Sequence, residues 1–489
     1  VKTITIDPVT RLEGHGKINI FLDDQGDVEN AYLQIPELRG FERFAQGRRA
    51  EDMPQITSRI CGVCPVAHHF AATKALDAAF QVEPPATAKK LRELLYCGYL
   101  IYDHILHFYF LGGPDFVVGP DAPAGKRNIL GVIEKAGIDV AKEVIKHRAY
   151  GQKITAILGG KATHPVCGLP GGVSKGLIKE EVKDIKDMVA SCNTFAKFTL
   201  GLFDDIVLKN KVYVDLIRSD PYTLKTYNMG LVDKHNKVNF YDGLIRVTDQ
   251  EGNETAKFEG KEYVTHIAEH VEEWSYMKFP YLKSVGWHGL HDGKKSGIYR
   301  VGPLGRFNAA DGMATPQADK EYTQMADTLG GKPVNSTLAF HWARLIELLY
   351  ATERAQELIE DPAITSTHIR NPVGEPGAGV GVVEAARGTL IHDYAIDKNG
   401  LVKRANLIVA TTNNAGAITM SVRDAAKGVI KKGVVNDGLL NKVEMAFRAY
   451  DPCFGCATHT LPGGMLLTVN IFDHNRNLRQ TISRNLGKK

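Results

Sequence analysis

The sequence predicts a mainly α-helical chain with small peripheral β elements, an α+β architecture built round a bundle of long helices. Apolar residues recur at helical spacing over several long stretches, whereas alternating runs are short and confined to the N-terminus and one central region. With 44% hydrophobic and 24% charged residues, the 489-residue chain has enough apolar content to bury a large core.

Val1 to Ile6 alternates as a strand does. Ile18, Ile20 and Leu22 alternate up to the turn at Asp23-Asp24-Gln25-Gly26, and Val28 to Leu33 resumes the pattern, so a hairpin is expected next. After Pro84-Pro85, Thr87 is placed to cap a helix through Leu91, Leu94, Leu95, Tyr99, Tyr102, Ile105 and Leu106, stopping at Gly112-Gly113-Pro114. A second stripe, Ile178, Val182, Ile185, Val189, Cys192, Ala196, Thr199, Phe203 and Ile206, alternates steps of four and three like the seam of a bundled helix. Residues 238–264 read as short strands round Asp249-Gln250-Glu251-Gly252-Asn253, and Ala339 to Glu360 returns to helix before Pro362. No Pro/Ser-rich linker, low-complexity tract or fixed-period repeat divides the chain, so a single domain is expected.

A net charge of +4 falls far short of a nucleic-acid-binding surface, and no nucleic-acid partner is expected. The opening residues lack a secretory pattern, and no apolar run approaches the roughly 20 residues of a membrane span. The expectation is a cytoplasmic chain with no span of its own. Gly377-Ala378-Gly379-Val380-Gly381 lacks the dinucleotide spacing, and Gly159-Gly160-Lys161-Ala162-Thr163 is no phosphate loop.

Seven cysteines are too few for a disulfide scaffold, and their placement matters more than their number. Cys61 and Cys64 form one C-x-x-C, Cys453 and Cys456 another, and Cys97, Cys167 and Cys192 stand singly as expected buried thiols. Two such pairs make a tetrathiolate site for a soft or borderline metal. Thiol spacing alone leaves a structural zinc site open, although zinc ribbons place their knuckles about 15 to 20 residues apart. Here nearly the whole chain separates them. A thioredoxin-like motif or a disulfide explains one pair, but neither pair follows a strand in a βαβ pattern.

At these residues the chain resembles the large, catalytic subunit of nickel-iron hydrogenases, and the resemblance runs end to end. It is carried by Asp7-Pro8-Val9-Thr10-Arg11-Leu12-Glu13-Gly14-His15-Gly16, Arg39-Gly40-Phe41-Glu42, both cysteine motifs, Asp103-His104-Ile105-Leu106-His107-Phe108-Tyr109 and Glu384-Ala385-Ala386-Arg387-Gly388. The resemblance implies a metal site in the helical core between the N- and C-terminal motifs, with Cys61 and Cys453 as terminal nickel ligands and Cys64 and Cys456 bridging to an iron that carries carbon monoxide and two cyanides. It implies that Glu13 relays protons, that Arg387 sits over the metal pair, oriented by Asp103 and Asp451, and that His68 donates to a cysteine sulfur. Glu42, His459 and the carbonyl of Leu407 would hold a magnesium or iron ion. The implied activity is heterolytic cleavage of H2, with the metal pair taking the electron pair and Cys453 sulfur or a canopy group the proton. One departure is Ala386, where the family usually has proline.

The resemblance further implies an iron-sulfur small subunit, since four of the seven cysteines are committed and no cluster ligands remain. Its wording is similar to the cytoplasmic multisubunit group, F420-non-reducing or NAD(P)-linked, in which further electron-transfer subunits set the acceptor: a heterodisulfide reductase reached through ferredoxin-like subunits, NAD(P) or coenzyme F420. It also implies nickel-insertion proteins and a maturation endopeptidase that cuts after His459, so that residues 1–459 are the working domain and 460–489 an extension. A permanent C-terminal strand from Met465 to Phe472 is the competing expectation, since that stretch is apolar and β-prone. A non-catalytic relative, such as the hydrogenase-like subunit of a respiratory complex, or a four-cysteine zinc scaffold, are the alternatives that retention of Glu13 and Arg387 beside the four cysteines argues against.

Overall fold

The computed structural model describes residues 2–458, 467–473 and 477–484. Strands β1 (Lys2–Ile6), β2 (Lys17–Leu22) and β3 (Val28–Gln34) form an antiparallel sheet in that order. The register sets Ile4 opposite Ile20 and Ile18 opposite Leu33, so the alternation read from the sequence puts Ile18, Ile20 and Leu22 into the core. Helix α1 (Phe41–Ala45) follows, and α2 (Pro65–Ala79) starts on a proline at its first turn, immediately after the first cysteine motif.

Helix α3 (Ala86–Leu106) is buried along most of its length and continues as a π-helical segment, His107–Gly112, sealed by a bond from Gly113 N to Phe108 O of 2.7 Å. Thr87 does not cap it. The helix begins after Pro85, and the Thr87 hydroxyl donates to Ala363 O instead. Helix α4 (Ile138–Gly159), which the sequence analysis did not anticipate, lies across α3 at a glycine contact. A Cβ on Gly151 would sit 2.8 Å from Gly98 O, so only glycine permits this approach.

Helix α5 (Lys179–Phe203) buries Ile185, Val189, Cys192, Ala196, Thr199 and Phe203 as the stripe predicts, but Ile178 precedes the helix and is exposed. The sheet of β4 (Tyr227–Val232), β5 (Leu244–Thr248), β6 (Glu254–Phe258) and β7 (Tyr299–Arg300) has the order β7-β4-β5-β6. Helix α6 (Phe340–Glu360) packs against both α3 and α5 and is buried on nearly every side.

Strands β8 (Ala378–Ala385), β9 (Gly388–Ile396) and β10 (Val402–Ile408) form an antiparallel sheet under α2. The glycine run that fails as a nucleotide motif has its role here. Cβ atoms on Gly379 and Gly381 would fall 2.3 and 2.1 Å from the carbonyls of Ala75 and Ala71, so bare glycines let α2 lie directly on β8. Helices α7 (Ala415–Val429), α8 (Asp437–Arg448) and α9 (Phe454–Ala457) complete the body. One hydrophobic core runs from Val9 to Ala457 and so includes both ends of that body.

Strands β11 (Leu467–Phe472) and β12 (Leu478–Arg484) form a two-stranded sheet bonded to no other named strand. The expected cleavage bond, His459-Thr460, and His459 itself lie outside the described residues.

Candidate metal centre

Each cysteine motif is shaped by its own backbone. In the first, Cys61 is extended, and its sulfur accepts from the amides of Val63 at 3.3 Å and Cys64 at 3.4 Å, after which Pro65 starts α2. In the second, Asp451 takes a left-handed φ of 57° and turns the chain into an extended Cys453, with Cys456 following on α9. The short helix Ala410–Asn413 grips this motif at both ends: Thr411 Oγ1 accepts from Cys453 N at 3.0 Å, and Thr412 Oγ1 donates to Ala457 O at 2.9 Å.

These loops bring the four sulfurs of Cys61, Cys64, Cys453 and Cys456 within 4.8 Å of one another, all buried. Across the motifs, Cys61 and Cys453 Sγ approach to 3.3 Å. Thiol hydrogen bonds from Cys453, Cys456 and Cys64 pull the Cys61 thiol well down, while burial pushes those of Cys453 and Cys456 well up. Four buried thiols therefore resist ionising together, and a bound cation is what makes the tetrathiolate favourable. The donor set is soft and suits nickel, as it would another thiophilic metal.

Glu13 is fixed by the main chain. It forms a parallel bridge with Cys453, and Phe454 N donates to Glu13 O at 3.0 Å. Its carboxylate accepts from Cys453 Sγ at 2.8 Å and from Gly455 N at 3.1 Å, and burial, reinforced by charge on Cys61, raises its pKa. A surface carboxylate would do neither.

Arg387 lies in the tight turn between β8 and β9. Its Nη1 donates to Asp103 Oδ2 at 3.1 Å, and Nη2 pairs with Asp451 Oδ2 at 2.9 Å, so the structure joins all three predicted canopy residues. Burial opposes the guanidinium charge, but the two carboxylates more than restore it. Burial likewise raises Asp451 to about 7, against the pull of Arg387. At Ala386 the backbone N–H, which proline would lack, donates to Tyr99 Oη at 3.0 Å.

His68 stands one turn into α2, as expected, but the hydrogen bond to sulfur that the resemblance implies is not among those it makes. Its Nδ1 meets His392 Nε2 at 3.1 Å. Glu42, on α1, pairs with Arg39 at 3.1 Å, and Arg39 Nε donates to Cys456 O at 2.9 Å. Leu407 lies opposite His392 in the β9–β10 register, on the strand against which α1 packs. The third expected ligand, His459, is outside the described residues.

Cys97, Cys167 and Cys192 are buried singly, and burial pushes the thiols of Cys167 and Cys192 up to about 12. Sequence reasoning assigned no role to His392, Tyr394 or Thr411, which carry no spacing signal. It also left Arg39 without one, although Arg39 opens the Arg39-Gly40-Phe41-Glu42 motif.

The nickel-dependent hydrogenase family matches residues 39–124 and 142–459, and a HoxL-like family matches residues 3–38. The chain belongs to the nickel-dependent hydrogenase family. Among its hydrogenase relatives, an F420-non-reducing hydrogenase iron-sulfur subunit of Archaeoglobus profundus is 48% identical over 99% of both chains. The NAD-reducing hydrogenase HoxS subunit beta of Cupriavidus necator is 38% identical over 96% of this chain and 97% of its own. An NAD+-reducing [NiFe]-hydrogenase solved in its H2-reduced state superposes with a TM-score of 0.88 at 36% identity, covering 94% of this chain and 100% of that one. The hydrogenase large subunit described here is thus an oxidoreductase of the multisubunit group, with its mainly helical fold and four-cysteine centre intact. Among the described residues, no helix is long and apolar enough to cross a membrane.

Proposed function

We propose that this subunit catalyses H2 ⇌ 2H+ + 2e− at a nickel-iron centre that the sulfurs of Cys61, Cys64, Cys453 and Cys456 would hold, with carbon monoxide and two cyanides completing the iron. The observation that carries this reading is the contact of Glu13 with Cys453 Sγ in the four-thiol cluster, together with an arginine held by two carboxylates. When bound, the metal pair supplies an electron-pair acceptor that no side chain can.

The chain itself handles the proton. A thiolate at Cys453 accepts it next to the metal, and Glu13 Oε2, already in hydrogen-bond contact with that sulfur, takes it on. Its raised pKa suits a group that must both accept and release near neutral pH. Arg387 stays charged throughout and offers fixed N–H donors above the thiols, while Asp103 and Asp451 keep it from collapsing onto them. His68 serves the same centre as an outer donor.

Glu42, the carbonyl of Leu407 and His459 would hold a magnesium or iron ion; the Arg39 link from Glu42 to the Cys456 carbonyl, which joins α1 to the second cysteine motif, supports this. Electrons leave through a small subunit carrying iron-sulfur clusters, then through further electron-transfer subunits in the cytoplasm. Residues 460–489 are a maturation extension removed after His459 by an endopeptidase once nickel-insertion proteins have acted. The self-contained pairing of β11 with β12 supports that reading.

Infrared spectroscopy of the purified complex, with metal analysis, tests the centre. Carbonyl and cyanide bands with nickel and iron in equal amounts are expected; zinc without bands overturns it. Intact mass of the active subunit should end at His459, and an attached tail removes the maturation reading.

A further inference from the structure

His68 is half of an unusual pair. Its neighbour His69 has both ring nitrogens engaged, with Nδ1 3.0 Å from Pro54 O and Nε2 accepting from Gly168 N at 2.8 Å. His68 is just as buried, yet only Nδ1 has a partner, His392 Nε2, and Nε2 makes no hydrogen bond. A fully buried polar nitrogen left without a partner is costly unless another group is to occupy it.

The rest of the chain of contacts determines which proton His68 carries. His392 and Tyr394 sit two residues apart on β9, on the face turned to α2, and His392 Nδ1 lies 2.7 Å from Tyr394 Oη. The Tyr394 hydroxyl also meets Thr57, whose own O–H is already given to Met53 O at 2.7 Å. Between an alcohol oxygen and an imidazole nitrogen, the phenol donates to the far more basic nitrogen. With Nδ1 of His392 thus an acceptor, its Nε2 carries the hydrogen and donates to His68 Nδ1. The proton of His68 must then sit on Nε2. Both rings are fully buried, which disfavours a second proton on either.

We propose that Tyr394 and His392 are positioning residues that lock His68 in the Nε2–H tautomer and reserve that N–H as a donor to a thiolate sulfur of the loaded centre. This rests on the nickel-iron reading above. A sulfur deprived of an N–H donor gives more electron density to the iron, which weakens its carbonyl bond.

The test is the infrared spectrum of the loaded complex, compared at equal metal content. Tyr394→Phe and His392→Leu should move the carbonyl band to lower wavenumber. His392→Gln, whose amide can still accept from Tyr394 and donate to His68, should leave it in place. Bands present in the unmodified complex but unmoved in Tyr394→Phe and His392→Leu overturn the proposal, whereas no bands in the unmodified complex overturn the nickel-iron reading instead. Should the substitutions cost the metal, neutron diffraction of the unmodified complex decides: a deuteron on His68 Nε2 supports the lock, and one on Nδ1 overturns it.

Discussion

At Glu13 one carboxylate holds two contacts that differ in kind. The Gly455 amide fixes its position, and the Cys453 thiol donates a hydrogen bond to it. Glu13→Gln keeps the shape and the amide contact but cannot take up the proton. Isotope exchange between H2 and water is therefore expected to fall by roughly 10²- to 10⁴-fold with metal content and infrared bands unchanged; an unchanged rate would remove Glu13 from the relay. The buried His69 predicts an acid limit. Burial lowers its pKa to about 4 from an ordinary value of 6.5. Between those values the unfolded chain binds the proton and the folded one does not, so stability is full above 6.5 and declines as pH falls toward 4. The loss is about 3 kcal/mol for this ring, and denaturant midpoints measured from pH 7 to pH 4 should drop accordingly. His69→Gln should make that slope shallower by this ring's share, the other buried histidines supplying the rest. The four cysteines were legible in the sequence because C-x-x-C spacing is itself a metal signal. His392 was not, because a single histidine in a strand looks the same whether it packs, pairs or orders a proton.

Among the secondary-structure elements, α2 is the one on which the site depends most. It begins at the residue after Cys64, carries His68 and rests on β8 through Gly379 and Gly381. Gly381→Ala would set a methyl carbon against Ala71 O and Ala75 N, lifting the helix from the strand. A loss of about 1–3 kcal/mol is expected, read as a lower melting temperature, together with reduced nickel content because the first cysteine pair moves with the helix. Helices with broad apolar stripes, α3, α5 and α6, were readable from periodicity. Helix α4 was not. Its buried face is built from Ala141, Val144, His147, Gly151, Ile154, Thr155 and Leu158, where small and polar residues hide the stripe, and the glycine contact with α3 is visible only in three dimensions. Thr87 misled for a related reason: a good capping residue near a helix start is drawn off by a distant carbonyl.

For the molecule as a whole, its two ends are bound into one body. Arg11 reaches Asp115 at 2.5 Å beside the π-helical segment, and Arg448 reaches the same carboxylate at 2.6 Å, so one buried aspartate joins the N-terminal segment to α8. Arg306 pairs with Glu347 and Glu384 at 2.7 and 2.6 Å and links α6 to β8 in the same way. Because β11 and β12 hydrogen-bond only to each other among the named strands, and an isolated hairpin is marginal, a nickel-loaded subunit that still carries residues 460–489 and one that ends at His459 should melt within about 2 °C of each other. A larger difference would mark the tail as structural. The domain's helical character was legible from the sequence, but its closure was not, since no local pattern announces that residue 13 will bridge residue 453. That bridge bears on biosynthesis. A ribosome must finish almost the entire message before Glu13 acquires its partner strand and Cys61 its opposing sulfurs, so a prematurely terminated polypeptide presents two thiols and an unmet carboxylate. A delivery step that required all four sulfurs would be met only by a chain synthesised through Cys456.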